Sequence, residues 1–160
     1  MLFRSLVPVN FTLGNNQVSE LFSNPPDGTT LFRFDSGVND FQANAYANGE
    51  WQRSGEVIKP GEAVFLFNPV DAPIEFLTPI NPPSMLISRD IPNGMSCLSS
   101  LVTKPGRVSQ ALDFKLADGD QIMRFDPAKK TYSVSVFAGG AWLPFEPSLG
   151  VNEPFFLLRK

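Results

Sequence analysis

Histidine is missing from the chain altogether. Its absence removes the side chain that most often acts as a general base near neutral pH, the Ser–His and Cys–His nucleophile pairs, and every imidazole metal site. Cysteine is reduced to Cys97, so neither an internal disulfide nor a thiolate zinc site within one chain is available. Set in the apolar stretch Met95–Leu101, Cys97 reads as a small buried hydrophobe. No glycine-rich phosphate cradle is present, either as GxxxxGK[ST] or as GxGxxG opening a helix.

Charge is scarce as well. Charged residues make up 18% of the chain, below the roughly 25% of ordinary soluble domains. The net charge is −3 and no Lys/Arg cluster stands out. The electrostatic footprint of a nucleic-acid or anionic-membrane binder is therefore lacking. No apolar run approaches the ~18 residues of a membrane-spanning helix. The opening MLFRSLVPVNF has too short an apolar region for a signal peptide and no small-residue cleavage site. The chemistry left open is that of carboxylates, Tyr or Lys, with glycoside cleavage by an Asp/Glu pair as the main example. No catalytic residue, cofactor or metal is expected. Asp118-Gly119-Asp120 and the run from Asp35 to Asp40 offer oxygen ligands of the type calcium prefers, but turn chemistry explains both equally well.

What the chain does have is aromatic bulk and repetition. Fifteen phenylalanines within a 42% hydrophobic composition can build an independent core in 160 residues. Slid against itself by 91 positions, the sequence matches without a gap. DGTTLFRFD (27–35) lies on DGDQIMRFD (118–126), Tyr46 on Phe137, Trp51 on Trp142 and Glu62 on Glu153. Over positions 27–69 the match has 11 identities in 43. A fixed offset of this kind marks the unit of construction. NQVSELF (16–22) echoes GRVSQAL (106–112) with a one-residue slip, and Thr12 lies on Thr103. The chain thus divides into a first β-repeat (1–69), a connector with short strands (70–93) and a second β-repeat (94–160), the two repeats forming one compact domain. Within the connector, Ile74–Leu77 and Met85–Ile87 are the apolar runs expected to form strands.

The repeat reads as β. Phe32 and Phe34 alternate with Leu31, Arg33 and Asp35, and Tyr132, Val134 and Val136 alternate with Ser133 and Ser135. AVFLF (63–67) has no polar alternation, which suits a strand buried on both faces. Asn48-Gly49 and Gly139-Gly140 are hairpin-turn dipeptides. Helical signal is limited to short turns around Val18–Phe22 and Val108–Leu112. These features predict an all-β, internally duplicated, pseudo-twofold β-sandwich or barrel-like double sheet.

Each Trp follows a hairpin turn by two residues. One reading plugs each ring into its half-core with the indole N–H bonded to a carbonyl. The other makes Trp51, Trp142, Tyr46 and Phe137 paired platforms for a polysaccharide. Duplication of the position favours the core. Arg33 with Asp35, and Arg124 with Asp126, are expected to form surface pairs worth about 0–1 kcal/mol each. Glu62 and Glu153 are expected to accept hydrogen bonds from turn amides.

The phrases DGT, RFD, NGEW and PGEAVFLFNP, echoed by DGDQIMRFD and the Trp142 segment, resemble a tandem DG…W…PGE-type β-repeat of uncharacterised secreted or surface proteins of environmental bacteria. The resemblance covers nearly the whole chain and implies this fold and an extracellular or cell-surface setting, without an assigned activity; a cytoplasmic setting is expected instead if residue 1 is the native start. The second half departs from it, reading GVNEPFF where the pattern has PGEGFF, so its closing turn is expected to differ. The function expected is that of a structural or interaction module, a surface, matrix or assembly subunit. It would associate with itself or with a host or surface protein, without nucleic-acid binding or membrane insertion. Carbohydrate binding is the alternative and glycoside hydrolysis a distant third.

Overall fold

In a computed structural model the described residues are 5–9, 15–71, 74, 91–100, 104–111, 115–126 and 128–160. The connector expectations at Ile74–Leu77 and Met85–Ile87, and the Thr12–Thr103 echo, fall almost wholly outside them. The first half carries β1 (Ser5–Val9), α1 (Val18–Leu21), β2 (Thr30–Asp35), β3 (Asp40–Ala47), β4 (Glu50–Trp51) and β5 (Glu62–Phe67). The second carries β6 (Gly94–Ser99), β7 (Gly106–Arg107), α2 (Val108–Ala111), β8 (Gln121–Asp126), β9 (Thr131–Ala138), β10 (Ala141–Leu143), β11 (Ser148–Leu149) and β12 (Pro154–Arg159). The fold is all-β and sandwich-like, with antiparallel pairing throughout and only these two short helices.

Strand order is the same in both halves. In the first, β1 and β2 flank β5 and the path continues to β3 and β4; in the second, β6 and β8 flank β12 and the path continues to β9 and β10. Among the described residues the two halves join into one ten-stranded sheet, beside a two-stranded one of β7 and β11, where Glu62 pairs with Leu98 and the Ser99 N–H donates to the Gly61 carbonyl at 2.7 Å. Among the described residues nothing pairs β4 with β10, so the sheet stays open.

Local chemistry explains the turns. Both hairpins at the sheet ends use two-residue loops with φ positive at each position: Asn48 (+55°) and Gly49 (+82°), Gly139 (+59°) and Gly140 (+79°). Such loops match the right-handed twist of the flanking strands, and Asn or Gly fills them at least cost. The closing turn before β12 corrects the expected difference. Asn152 sits at φ +55° where Gly61 sits at +81°, so VNE and PGE make the same left-handed bend, Asn being the side chain that tolerates it best.

Alternation sends each central strand's residues to two cores. From β5, Val64 and Leu66 join Val7, Val9, Val18, Leu21, Phe22, Leu31, Tyr46, Trp51 and Ile58 in a core belonging to the first half alone. Phe155 and Leu157 of β12 join Leu98, Val108, Ile122, Trp142 and Leu149 in a second. The opposite faces build a shared layer: Phe32, Ala63 and Phe65 from one half, Cys97 and Phe156 from the other. Aromatic contacts run through this layer from Phe34 to Phe41 (5.2 Å), Phe65 (5.4 Å) and Phe156 (5.9 Å), then to Tyr132 (6.0 Å) and Phe125 (5.2 Å). Because Phe156 is buried and central to that layer, Phe156→Ala should cost about 3–5 kcal/mol. Urea unfolding followed by far-UV circular dichroism and by Trp fluorescence is expected to give one coincident transition at lower midpoint, since both halves depend on the same layer.

Candidate functional site

The four aromatics considered as sugar platforms are packed inside the halves. Trp51 is 5% exposed, Trp142 8% and Tyr46 6%, and Phe137 packs against the second core. Tyr46 meets Trp51 edge-on at 5.4 Å and Phe137 meets Trp142 at 5.4 Å. The Trp51 indole N–H donates to the Phe22 carbonyl at 2.9 Å. Trp142 has no such acceptor among the described residues; the matching position, Leu112, lies outside them. Trp51, Trp142 and Tyr46 are thus packed as core side chains, with Phe137 partly buried beside Trp142, rather than offered as a face to a pyranose.

The expected Arg–Asp pairs are not formed. Strand register explains why: Arg33 pairs across β2–β5 with Val64, which brings its guanidinium to Glu62, two residues along on the same face, at 3.1 Å. Arg124 reaches Glu153 in the same way. Each glutamate is a clamp, as its second oxygen accepts a turn amide: Lys59 N–H for Glu62 at 3.0 Å, Gly150 N–H for Glu153 at 2.6 Å. Asp35 instead accepts the Gly37 N–H at 2.8 Å. Asp126 accepts from Ala128 and Lys129, and the Lys129 amide foremost holds its carboxyl below the usual range. Asp120, fully buried, accepts from Ala117 and Lys160 amides at 3.0 and 3.3 Å and lies 4.0 Å from Arg159. Its oxygens tie down the chain end, and no cluster of three metal-ligating acids or thiols forms among the described residues.

Beyond the clamps the halves diverge. In the first, Glu56 adds a second carboxylate to Arg33 at 3.8 Å, pairs with Arg53 at 3.3 Å and accepts from Asn44 at 3.0 Å. At the matching positions the second half has Pro147, Pro144 and Ser135. This network borders an open polar cleft of about 780 Å³ that also reaches Lys59, Ser96 and Cys97. Its carboxylates are engaged by guanidinium groups and amides. Burial, with the Glu62 charge adding to it, pushes the Cys97 thiol up to about 12, so it is protonated at neutral pH and no thiolate nucleophile forms. The cleft is therefore bordered by a salt-bridge network.

The outer edges differ in the same sense, which single-position reading did not reveal. On β3, the Arg53 guanidinium donates to the Ala43 carbonyl at 2.7 Å, the Gln52 N–H to Ala45 at 2.9 Å, and the Phe41 N–H to its neighbour's carboxylate, Asp40, at 2.7 Å. On β9, β10 covers only Val136–Ala138. Thr131 and Pro144 stand where Asp40 and Arg53 would be, and neither supplies the plug. The sequence signal was an Asp→Thr and an Arg→Pro exchange between matched positions.

Comparison with protein-family models, with curated proteins and with solved structures finds no match.

Two measurements check this geometry. Iodide should quench the fluorescence of both tryptophans several-fold less than that of the free amino acid, and strong quenching of either would place that ring at the surface. Glu146 holds the N-terminal end of α2 through the Ser109 amide at 2.8 Å. The Ser109 hydroxyl foremost, then its amide and Arg107, lower the carboxyl's pKa. A depressed folded pKa stabilises above the unfolded value and is lost as pH falls through the folded one. Glu146→Gln should therefore lower the unfolding midpoint at pH 7, with the difference from wild type disappearing as pH falls below about 4.5.

Proposed function

We propose that the chain is an internally duplicated, non-catalytic interaction module, a subunit of a surface, matrix or other assembly that acts through protein–protein contacts. The observation that carries this reading is where apolar side chains meet solvent. Of nine large hydrophobics left exposed among the described residues, Phe125, Tyr132, Val134, Leu143 and Phe145 belong to β8, β9, β10 and the segment just after β10. At the matching places the first half has Phe34 and Phe41, both partly buried, then Ala43, Gln52 and Ser54. Scattered single hydrophobics are ordinary, but a group gathered on one sheet and its flank marks a contact surface.

Duplication is supported by the recurrence of geometry at the 91-residue offset. Gly28 N–H to Tyr46 and Gly119 N–H to Phe137 are both 2.8 Å, as are Tyr46 N–H to Thr29 and Phe137 N–H to Asp120. Five matched pairs of residues share positive φ, Gly28 with Gly119 and Asn39 with Lys130 among them. The missing histidine and the protonated thiol favour a role without catalysis. The resemblance noted in the sequence favours an extracellular or cell-surface setting.

The test places a photoreactive benzoylphenylalanine at Phe145, 67% exposed, and another at Ser36 in the β2–β3 turn of the first half. Irradiation in concentrated pure protein and in an extract of cells that make it should give protein adducts from 145 and few from 36. Failure to form protein adducts at 145 in both settings, with retention on polysaccharide gels, would replace this reading with carbohydrate binding.

A further inference from the structure

We infer that the uncovered edge of β9 is a strand-addition site and that its occupant is the same edge of a second copy of this chain, the two pairing antiparallel about Ser133. This rests on the interaction reading above and names its surface and partner.

Backbone direction comes first. The Phe137 N–H donates to Asp120 and its carbonyl accepts from Gly119, each at 2.8 Å, so Phe137 faces the β8 side. Alternation then turns Ser135, Ser133 and Thr131 toward β8 as well, and Val134 and Tyr132 outward. β10 ends at Leu143, opposite Val136. The next residue, Pro144, already lies outside the strand. Among the described residues no strand pairs with the outward amides and carbonyls of Tyr132 and Val134, residues that are 44% and 43% exposed.

The matching edge shows what closure requires. On β3, Asp40 engages the Phe41 N–H and Arg53 engages the Ala43 carbonyl. Tyr132 and Val134 match Phe41 and Ala43 in the 91-residue offset, and both plugging side chains are replaced there. Charged plugs of this type guard sheet edges against unwanted pairing; β9 dispenses with them at two separate positions.

The exposed run Thr131–Ser135 fits itself. A two-fold axis through Ser133 sets Tyr132 opposite Val134 of the second copy, and Val134 opposite its Tyr132. Both are outward residues, so each such pair exchanges two backbone hydrogen bonds, four across the contact. Aromatic against β-branched is a favourable cross-strand combination. Thr131 then faces Ser135, and no charge opposes a like charge within the five residues. Side chains of Phe125, Tyr132, Val134 and Leu143 share one sheet face by register, so the apolar strips of the two copies abut.

The experiment uses the full chain in sedimentation equilibrium across its soluble concentration range. Wild type is expected to reach twice the 17.6 kDa chain mass. Thr131→Asp combined with Pro144→Arg, which transplants the plugs of the first half, should hold it at one chain mass, as should Val134→Lys. A cysteine trap covers the case in which those variants fold poorly. In the proposed register the two Ser133 residues form a non-hydrogen-bonded pair with Cα atoms about 4.5 Å apart, within disulfide reach. Ser133→Cys should give a covalent dimer on mild oxidation. Thr131→Cys, its two copies about 13 Å apart by strand rise, should not. A wild type that stays at one chain mass, a plugged variant that still doubles, growth beyond two copies, or equal cross-linking at 131 and 133 each overturns the proposal. If the pure chain remains single while position 145 still forms adducts with another protein, the strand pairing fails and the interaction reading survives.

Discussion

Contact between Phe65 and Phe156, ring centres 5.9 Å apart, is the constraint on which the rest of the structure hangs. Each half alone has a small core on one face of a five-stranded sheet, filled by one short helix, one Trp and one branched residue behind the hairpin, Ile58 or Leu149. Units of some 70 residues are marginal by surface-to-volume alone. The phenylalanines on the other faces of β2, β5 and β12 would be left in water. Laying the two halves together packs them into a shared apolar layer. The backbone link at Gly61–Ser99 and Glu62–Leu98 fixes the register of that union at the strand ends.

Much of this was written plainly in the residues. Period-two alternation in TLFRFD and YSVSVF, the doubly apolar AVFLF and PFFLL, and the turn dipeptides each encode a local preference that packing did not override. The glutamates at the strand entrances were legible too, because a turn amide three residues back is a local partner. The partners of the arginines were hidden. Arg33 is two residues from Asp35 but finds Glu62, 29 residues away, because cross-strand register decides which carboxylate shares its face. The state of the sheet edges was hidden for a related reason. A side chain from one strand end stoppers a carbonyl ten residues earlier, and no period or propensity records that relation. Closing turns proved more alike than their letters suggested, since Asn152 and Gly61 reach the same backbone region by different routes.

The two halves hold the same frame and dress it differently. Where the backbone requires a residue, the halves agree or exchange equivalents: Trp51 and Trp142, Leu31 and Ile122, Arg33 and Arg124. Where the backbone is indifferent, polar groups collect on the first half, around Arg33, Arg53, Glu56 and Asn44, and apolar ones on the second. Such sorting keeps the charged network on one half and puts most of the exposed large hydrophobics among the described residues on the other.

The plugs on β3 have a consequence of their own. A sheet with two receptive borders can accept a neighbour on each side, and nothing in its geometry tells it when to stop; that is how fibrils lengthen. On β3, Asp40 and Arg53 occupy an amide and a carbonyl that a further strand would need at that border. If β9 takes up a strand as inferred above, these two small polar contacts, far from the join, would act as a terminator against open-ended polymerisation.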